Sequence, residues 1–375
     1  MTRQQLIARL SRLIRVTSIH RLIVWILDRL QYWTFNHLKR GKLVKTGPRR
    51  SNKLALFAIF QPRGLSTFVV RELQYLISLG YDVAISIPHD LPPDQEKMLD
   101  SLCRFRIKRP NFGRDFGSFC DAILAIGFDA IAEYDRVLMV NDSIFFPIGA
   151  TEQFTRELEE AVKRADVVGL CENSETARHI GSFFIEIATS VFCSPACRAY
   201  WTKYRRYNSR FHAIRKGECG LSKVLYRQAK NIRIIYSKER LTEQFLAAFS
   251  SDFQLPRIFH LLSDPFFGPL KRSLLSMEPD GEERSLVLID ELRKRLEASS
   301  IPHSVGLQLI TMFDAPFLKR DVYYHEIFDL PQIRMALEGR VEPELVEAII
   351  LELRKKGSAR NQTLWGELMI RLGLR

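Results

Sequence analysis

The order of hydrophobic segments along these 375 residues predicts an α/β fold, a mainly parallel sheet sandwiched by helices. Two observations carry this expectation. Apolar runs of strand length, such as residues 54–60 (LALFAIF) and 136–140 (RVLMV), alternate with stretches of helical spacing. The runs also end in loops that hold Gly, Pro, Asn and Asp, the residues that stop regular structure.

The elements follow in order. Residues 54–60 read as a buried strand because a continuous apolar run meets Gln-Pro-Arg-Gly. A helix over 65–79 is stopped by Gly80, and a strand over 81–87 follows. Then come a short helix (94–102), a strand (104–108), a helix (116–126), the strand 136–140 and a helix (154–164). Residues 166–170 and 180–187 supply further strands. Ligands of such sheets bind at the carboxyl ends of the strands, which directs attention to loops 61–66, 88–93, 109–115 and 141–147.

Charge separates the chain into two parts. The net +13 comes from 56 Lys plus Arg against 43 Asp plus Glu, and the first fifty residues hold twelve of the bases with one acid, Asp28. The other 325 residues hold 44 bases and 42 acids, close to neutral. A nucleic-acid-binding body would carry the excess on its folded part, so no nucleic-acid partner is expected.

Within the leader, Leu6, Ile7, Leu10, Leu13 and Ile14 share one helical face while Arg9, Arg12 and Arg15 lie away from it. A second apolar face, from Val16 to Trp33, points nearly opposite to the first. Residues 1–35 are therefore expected to lie on an anionic membrane surface, although a helix packed on the body has the same apolar spacing. Residues 39–52 read as a flexible basic linker. No apolar run reaches the roughly 18 to 20 residues of a spanning helix. Six cysteines without a CxxC pair suggest a reduced, cytoplasmic protein. With the leader on the membrane, the expected location is peripheral, on its inner face.

Two loops carry the chemistry. In Arg109-Pro-Asn-Phe-Gly-Arg-Asp115, Gly113 lets the backbone approach a ligand, Asn111 and Asp115 can bond a base or ribose, and Arg114 offers a fork for phosphate. The same loop also reads as an ordinary helix start with Asp115 as N-cap. After RVLMV, Asn141-Asp142-Ser143 places one carboxylate between oxygen-bearing neighbours. That suits a divalent cation, Mg2+ or Mn2+, shared with a diphosphate, and it equally suits a turn.

Seven segments in order then resemble one family, bacterial rhamnan synthesis protein F. They are Asn111-Phe-Gly-Arg-Asp-Phe-Gly117, Asn141-Asp-Ser-Ile-Phe-Phe-Pro147, Asp166-Val-Val-Gly-Leu170, His179-Ile-Gly-Ser-Phe-Phe184, Ser194-Pro-Ala-Cys-Arg-Ala-Tyr-Trp201, Glu218-Cys-Gly-Leu-Ser222 and Pro316-Phe-Leu-Lys319. The resemblance covers about residues 54–325 and implies a Rossmann-like, A-type glycosyltransferase fold. It implies an enzyme that moves a sugar, often rhamnose, with inversion from a nucleoside-diphosphate sugar onto a polysaccharide or lipid-linked glycan acceptor. A non-catalytic sugar-nucleotide-binding or scaffolding subunit is the other reading, because Asn141 and Ser143 stand where flanking acids are usual.

On this resemblance Asn111, Gly113, Arg114, Asp115 and Asn141 would contact the nucleotide, and Asp142 with Ser143 would face the metal. Lys319 could neutralise the leaving diphosphate in its place. Glu218 is expected as general base with His179 as its competitor, and each also has a structural reading, a helix-terminal charge and a packed histidine. The expected organisation is a leader and linker over 1–50, a glycosyltransferase domain over 51–330 and a C-terminal helical extension over 331–375.

Overall fold

The computed structural model describes residues 6–7, 26, 33–249, 261–275 and 282–358. The described residues form twelve strands. They are β1 (Lys42–Thr46), β2 (Lys53–Ala58), β3 (Tyr81–Ile87), β4 (Phe105–Lys108), β5 (Arg136–Asn141), β6 (Ile144–Phe145), β7 (Val167–Gly169), β8 (Glu172–Asn173), β9 (His179–Ile180), β10 (Phe184–Ala188), β11 (Ile232–Ile234) and β12 (Leu318–Lys319). Eight form one sheet in the order β1-β4-β3-β2-β5-β10-β7-β11. β2 lies parallel to β3 and β5, β3 to β4, and β7 to β11, while β1 pairs antiparallel with β4. All seven residues of β3 and five of six in β2 and β5 are buried, as a parallel sheet covered on both faces requires.

The chain thus has a mixed α/β fold on a large, mainly parallel sheet. It divides into two compact units. Unit one holds the described residues up to Asp142 together with Glu186–Ala229, and unit two holds Ser143–Ile185 with Lys230–Ser358. In unit one the helices α1 (Thr67–Ser78), α2 (Pro93–Leu102) and α3 (Arg114–Ile126) connect successive parallel strands. In unit two β12 pairs with β6 and β9 with β8, both antiparallel. Its last described helix is α4 (Pro343–Lys356).

Three expectations change. The linker over 39–52 is ordered: its residues form β1, a sheet strand, and Gly47 N–H donates to Arg104 O at 2.6 Å. The strand expected over 180–187 is two strands, β9 and β10, separated around Gly181. A Cβ at Gly181 would lie 2.7 Å from the Phe183 ring, so the chain turns there at a close approach that only glycine permits. Finally, Asp115 is not the N-cap of its helix: α3 starts at Arg114, and its N-cap is Gly113 in the left-handed region. Most of the expected leader, residues 1–35, and the end of the expected C-terminal extension, residues 359–375, lie outside the described residues. Among the described residues no helix is long and apolar enough to cross a membrane.

The segment around Asn36 is fastened through buried charge. Asp121 is flanked by Arg109 and Arg206, and the three side chains are 2, 1 and 4 % exposed. Arg206 also receives Asn36: its backbone N–H donates to Asn36 Oδ1 at 3.0 Å, and Asn36 Nδ2 donates to its carbonyl at 3.2 Å. Phe35 stacks on Phe112 with ring centroids 4.4 Å apart. Burial pulls the Arg109 guanidinium down from its ordinary pKa and Asp121 opposes that pull. Removing the shared carboxylate would strand two buried cations. Asp121→Ala is therefore expected to destabilise the protein by about 3–5 kcal/mol, read as a fall in the urea midpoint.

Candidate functional site

The register of β2 on β5 places Ala58 opposite Asn141, so both strands stop at the same edge of the sheet. The loop after β2 and the loop after β5 leave that edge side by side. Asp142 accepts two hydrogen bonds there through Oδ2, from Phe60 N–H at 3.0 Å and from the Gln61 side-chain amide at 2.6 Å. Gln61 N–H in turn donates to His89 Nε2 at 2.8 Å. An acceptor at Nε2 leaves the proton on Nδ1, which faces Asp90 O at 3.1 Å. Asn141 Nδ2 donates to Asp115 Oδ2 at 3.0 Å, joining the β5 edge to the first turn of α3. Phe60 is 48 % exposed beside the His89 ring, an aromatic face open at this edge.

The turn into α3 is built for close approach. Gly113 has φ +94° and Arg114 φ +52°, so two consecutive residues sit in left-handed conformations. Arg114 has a Cβ, and its strain is of order 1 kcal/mol. Asn208 holds the turn: Gly113 N–H donates to its Oδ1 at 2.7 Å and Arg114 Nε to its carbonyl at 2.6 Å. A Cβ at Gly113 would lie 2.8 Å from Arg206 Cβ. Burial lowers the Arg114 pKa. Asn111 is exposed at the tip of this turn. Unit one therefore brings Asn111, Gly113, Arg114, Asp115, Asn141 and Asp142 to one edge.

Glu218, in the same unit, is partly exposed at the end of a π-helical turn, Ala213–Glu218. Tyr200 OH bonds the Lys216 and Gly217 carbonyls at 2.8 and 3.0 Å, and Gly217 lies against the Phe116 ring, where a Cβ would come within 2.7 Å. That packing sets Glu218 against α3.

The remaining expected residues belong to unit two. Lys319 Nζ donates to Ser143 Oγ at 2.8 Å and sits 4.5 Å over the Phe183 ring. The pairing of β6 with β12, Ile144 opposite Lys319, creates this contact across 176 residues of chain. His179 is 1 % exposed, with Nδ1 against Ala177 O at 2.7 Å. A ring so enclosed is poorly placed to take a proton from an incoming hydroxyl.

Sequence reasoning missed a cluster just beyond Lys319. Asp321 Oδ1 bonds His303 Nε2 at 3.0 Å, and Asp321 Oδ2 lies 3.5 Å from His325 Nε2. His303 Nδ1 meets Ser300 Oγ at 2.8 Å. Burial alone would raise the Asp321 carboxyl, but His303, His325 and Lys319 outweigh it and hold its pKa well below the usual value. The spacing of these residues along the chain matches no motif, so nothing in the sequence pointed to them.

A resident cation does not suit the donors at Asp142. One Asp142 oxygen already accepts two hydrogen bonds and Ser143 Oγ accepts one from a lysine. Among the described residues no group of three His, Cys, Asp or Glu could hold a metal ion.

Fold and site together define a mixed α/β protein whose polar groups collect at the carboxyl ends of parallel strands, the ligand-binding edge of this architecture. Residues 84–275, just over half of the chain, match the family described as rhamnan synthesis protein F, and the chain belongs to that family. It is also 30% identical over 199 residues to the uncharacterized protein y4gN of Sinorhizobium fredii (strain NBRC 101917 / NGR234), covering 52% of this chain and 51% of that protein. The chain thus spans about half the length of that relative.

The sign of the Asp321 effect gives a test. A carboxyl whose folded pKa is depressed stabilises the fold above its unfolded pKa, and that contribution is lost as pH falls through the folded value. Asp321→Asn should lower the melting temperature at pH 7, and the difference from the unmodified chain should shrink as pH falls below the ordinary Asp value of 3.8.

Proposed function

We propose that this chain is an inverting glycosyltransferase of the A-type fold that moves a sugar, rhamnose by family expectation, from a nucleoside diphosphate onto a glycan or lipid-linked acceptor. The observation that carries the reading is the hydrogen-bonded edge of Asp115, Asn141, Asp142, Gln61 and His89 at the ends of β2 and β5. Membership of the rhamnan synthesis family supports it.

In this reading Asn111, Asp115 and Asn141 bond the base or ribose, and the left-handed turn at Gly113 and Arg114 admits a phosphate. Asp142 holds the loop after β2 in place through its two hydrogen bonds. Lys319 neutralises the diphosphate that leaves, a task for which a positioned cation is effective inside a water-poor site. The donor set at Asp142 gives no step to Mg2+ or Mn2+. Glu218, partly exposed, is one candidate to receive the proton of the acceptor hydroxyl.

Residues 1–35 would hold the enzyme on the anionic inner face of the membrane. Trp33, 61 % exposed, supports that role. A non-catalytic scaffold is the second reading, and the engagement of Asp142 by Phe60 and Gln61 favours it.

A panel of nucleotide sugars separates the two readings. One member should raise the melting temperature, and Asp115→Ala should abolish that shift while leaving the unliganded melting temperature within a few degrees. The shift should persist in EDTA. Diphosphate release on adding acceptor marks the enzyme, and binding without release marks the scaffold. For the membrane contact, a chain starting at Trp33 should no longer sediment with phosphatidylglycerol vesicles, whereas the full chain should; continued sedimentation would refute the anchor.

A further inference from the structure

We propose that Phe60 is a stacking platform for the base of the nucleoside diphosphate, a contact that rests on the glycosyltransferase reading and that none of the polar groups at this edge supplies. The residues before it, Leu54 to Ile59, are at most 3 % exposed, and Phe60 is 48 % exposed. Burial therefore ends between one residue and the next, and the first side chain past it is a large apolar ring. Leaving that ring in water forgoes the gain of burying it. Among the described residues with large exposed apolar side chains, Phe60 alone stands in the loops after β2, β3 or β5, at the edge where ligands of parallel sheets bind.

The backbone at and after the ring is pinned. Phe60 N–H donates to Asp142 Oδ2 at 3.0 Å, and the next amide, Gln61 N–H, donates to His89 Nε2 at 2.8 Å. The His89 ring stands at 74° to the Phe60 ring with centroids 5.8 Å apart, the edge-on arrangement that aromatic pairs prefer. Farther along the same loop Gly64 N–H donates to Gln61 O at 3.1 Å, and Leu65 N–H donates to Gln95 Oε1 at 2.9 Å, which ties the loop to α2. A platform held in this way has little freedom left to lose when a flat ligand settles on it.

Position and chemistry select the base as the occupant. Asp142 N–H donates to Ala58 O at 3.2 Å, and Asn141, one residue earlier, donates to Asp115. Phe60 thus leaves the sheet beside two of the groups assigned to base and ribose, and all of these residues belong to unit one. A planar apolar ring offers a nucleobase a π-face and offers a phosphate no donor, so the base is the part of the nucleotide that it holds. Stacking accepts every base, because every base has a π-face. Phe60 supplies affinity, and the choice among bases falls to hydrogen-bonding groups such as Asn111 and Asn141.

The test uses the full chain and the free diphosphates of uridine, thymidine, guanosine, adenosine and cytidine, with inorganic pyrophosphate as the control that has no base. In calorimetric titration at least one of these nucleotides should bind the unmodified chain. Phe60→Ala should weaken that binding about 5- to 150-fold, and Phe60→Leu, which keeps apolar bulk without a π-face, should weaken it nearly as much. Phe60→Tyr should bind as the unmodified chain does. The loss should be the same factor for each base that binds, and pyrophosphate binding should not change. In Phe60→Trp the added indole emission should be quenched by the same nucleotide and not by pyrophosphate, a signal that a structural role would not give. Because the side chain lies outside the core, each variant should melt within a few degrees of the unmodified chain.

The proposal is overturned if Phe60→Ala or Phe60→Leu binds the free nucleotide as tightly as the unmodified chain, or if pyrophosphate binding weakens to the same extent. It is also overturned if binding of the nucleotide sugar alone responds, which would put the sugar on the ring. Each of these outcomes leaves donor binding through Asp115 standing, whereas an unmodified chain that binds neither nucleoside diphosphate nor nucleotide sugar overturns both readings.

Discussion

The parallel pairing of β2 with β5, ending at Ala58 opposite Asn141, is the constraint on which the candidate site depends. Parallel strands in register must send their following loops off the same edge. Here those loops hold the Phe60 N–H, the Gln61 amide and the Asp142 carboxylate, which meet by hydrogen bonding. Shifting the register by one residue would turn every side chain of β2 to the other face and break that meeting. The apolar core that enforces the register, with Leu54, Ala55, Leu56, Val137, Leu138 and Met139 fully enclosed, is therefore also what positions polar groups far from it in chemistry.

A second level of organisation is long in sequence and short in space. Two-residue strands β6 and β12 bring Ser143 and Lys319 within hydrogen-bond distance, and Asp321 follows two residues later. Neither strand would be stable alone. Each is held by what surrounds it: Phe145, Phe146 and Phe317 are buried, and Arg320 spans the pair with bonds to Ile144 O and Glu352.

Much of the fold was legible in the chain because apolar runs bounded by turn residues have few alternatives. The strand over 81–87 has the expected bounds, and the helices over 67–78 and 93–102 differ from expectation by at most two residues at an end. The basic segment after Arg40 was not legible. Its apolar run is only Leu43 and Val44 between basic residues, and it becomes a strand where β4 offers an edge. The loops at strand ends were found from topology, and Asn111 to Asp115 and Asn141 to Asp142 do gather there. The contacts of Gln61 and His89, and the group of His303, Asp321 and His325, depend on tertiary proximity that no local spacing encodes.

The same short strand β1 has a further consequence at the outer edge of the sheet. A sheet edge presents unmatched backbone donors and acceptors to any other extended chain. β1 occupies the edge of β4 with five residues, an irregular register between Leu43 and Lys45, and lysines at 42 and 45. Brevity, irregularity and charge are the features by which edges avoid self-association. The segment expected as a flexible basic linker is thus the cover of the sheet's outer edge at β4.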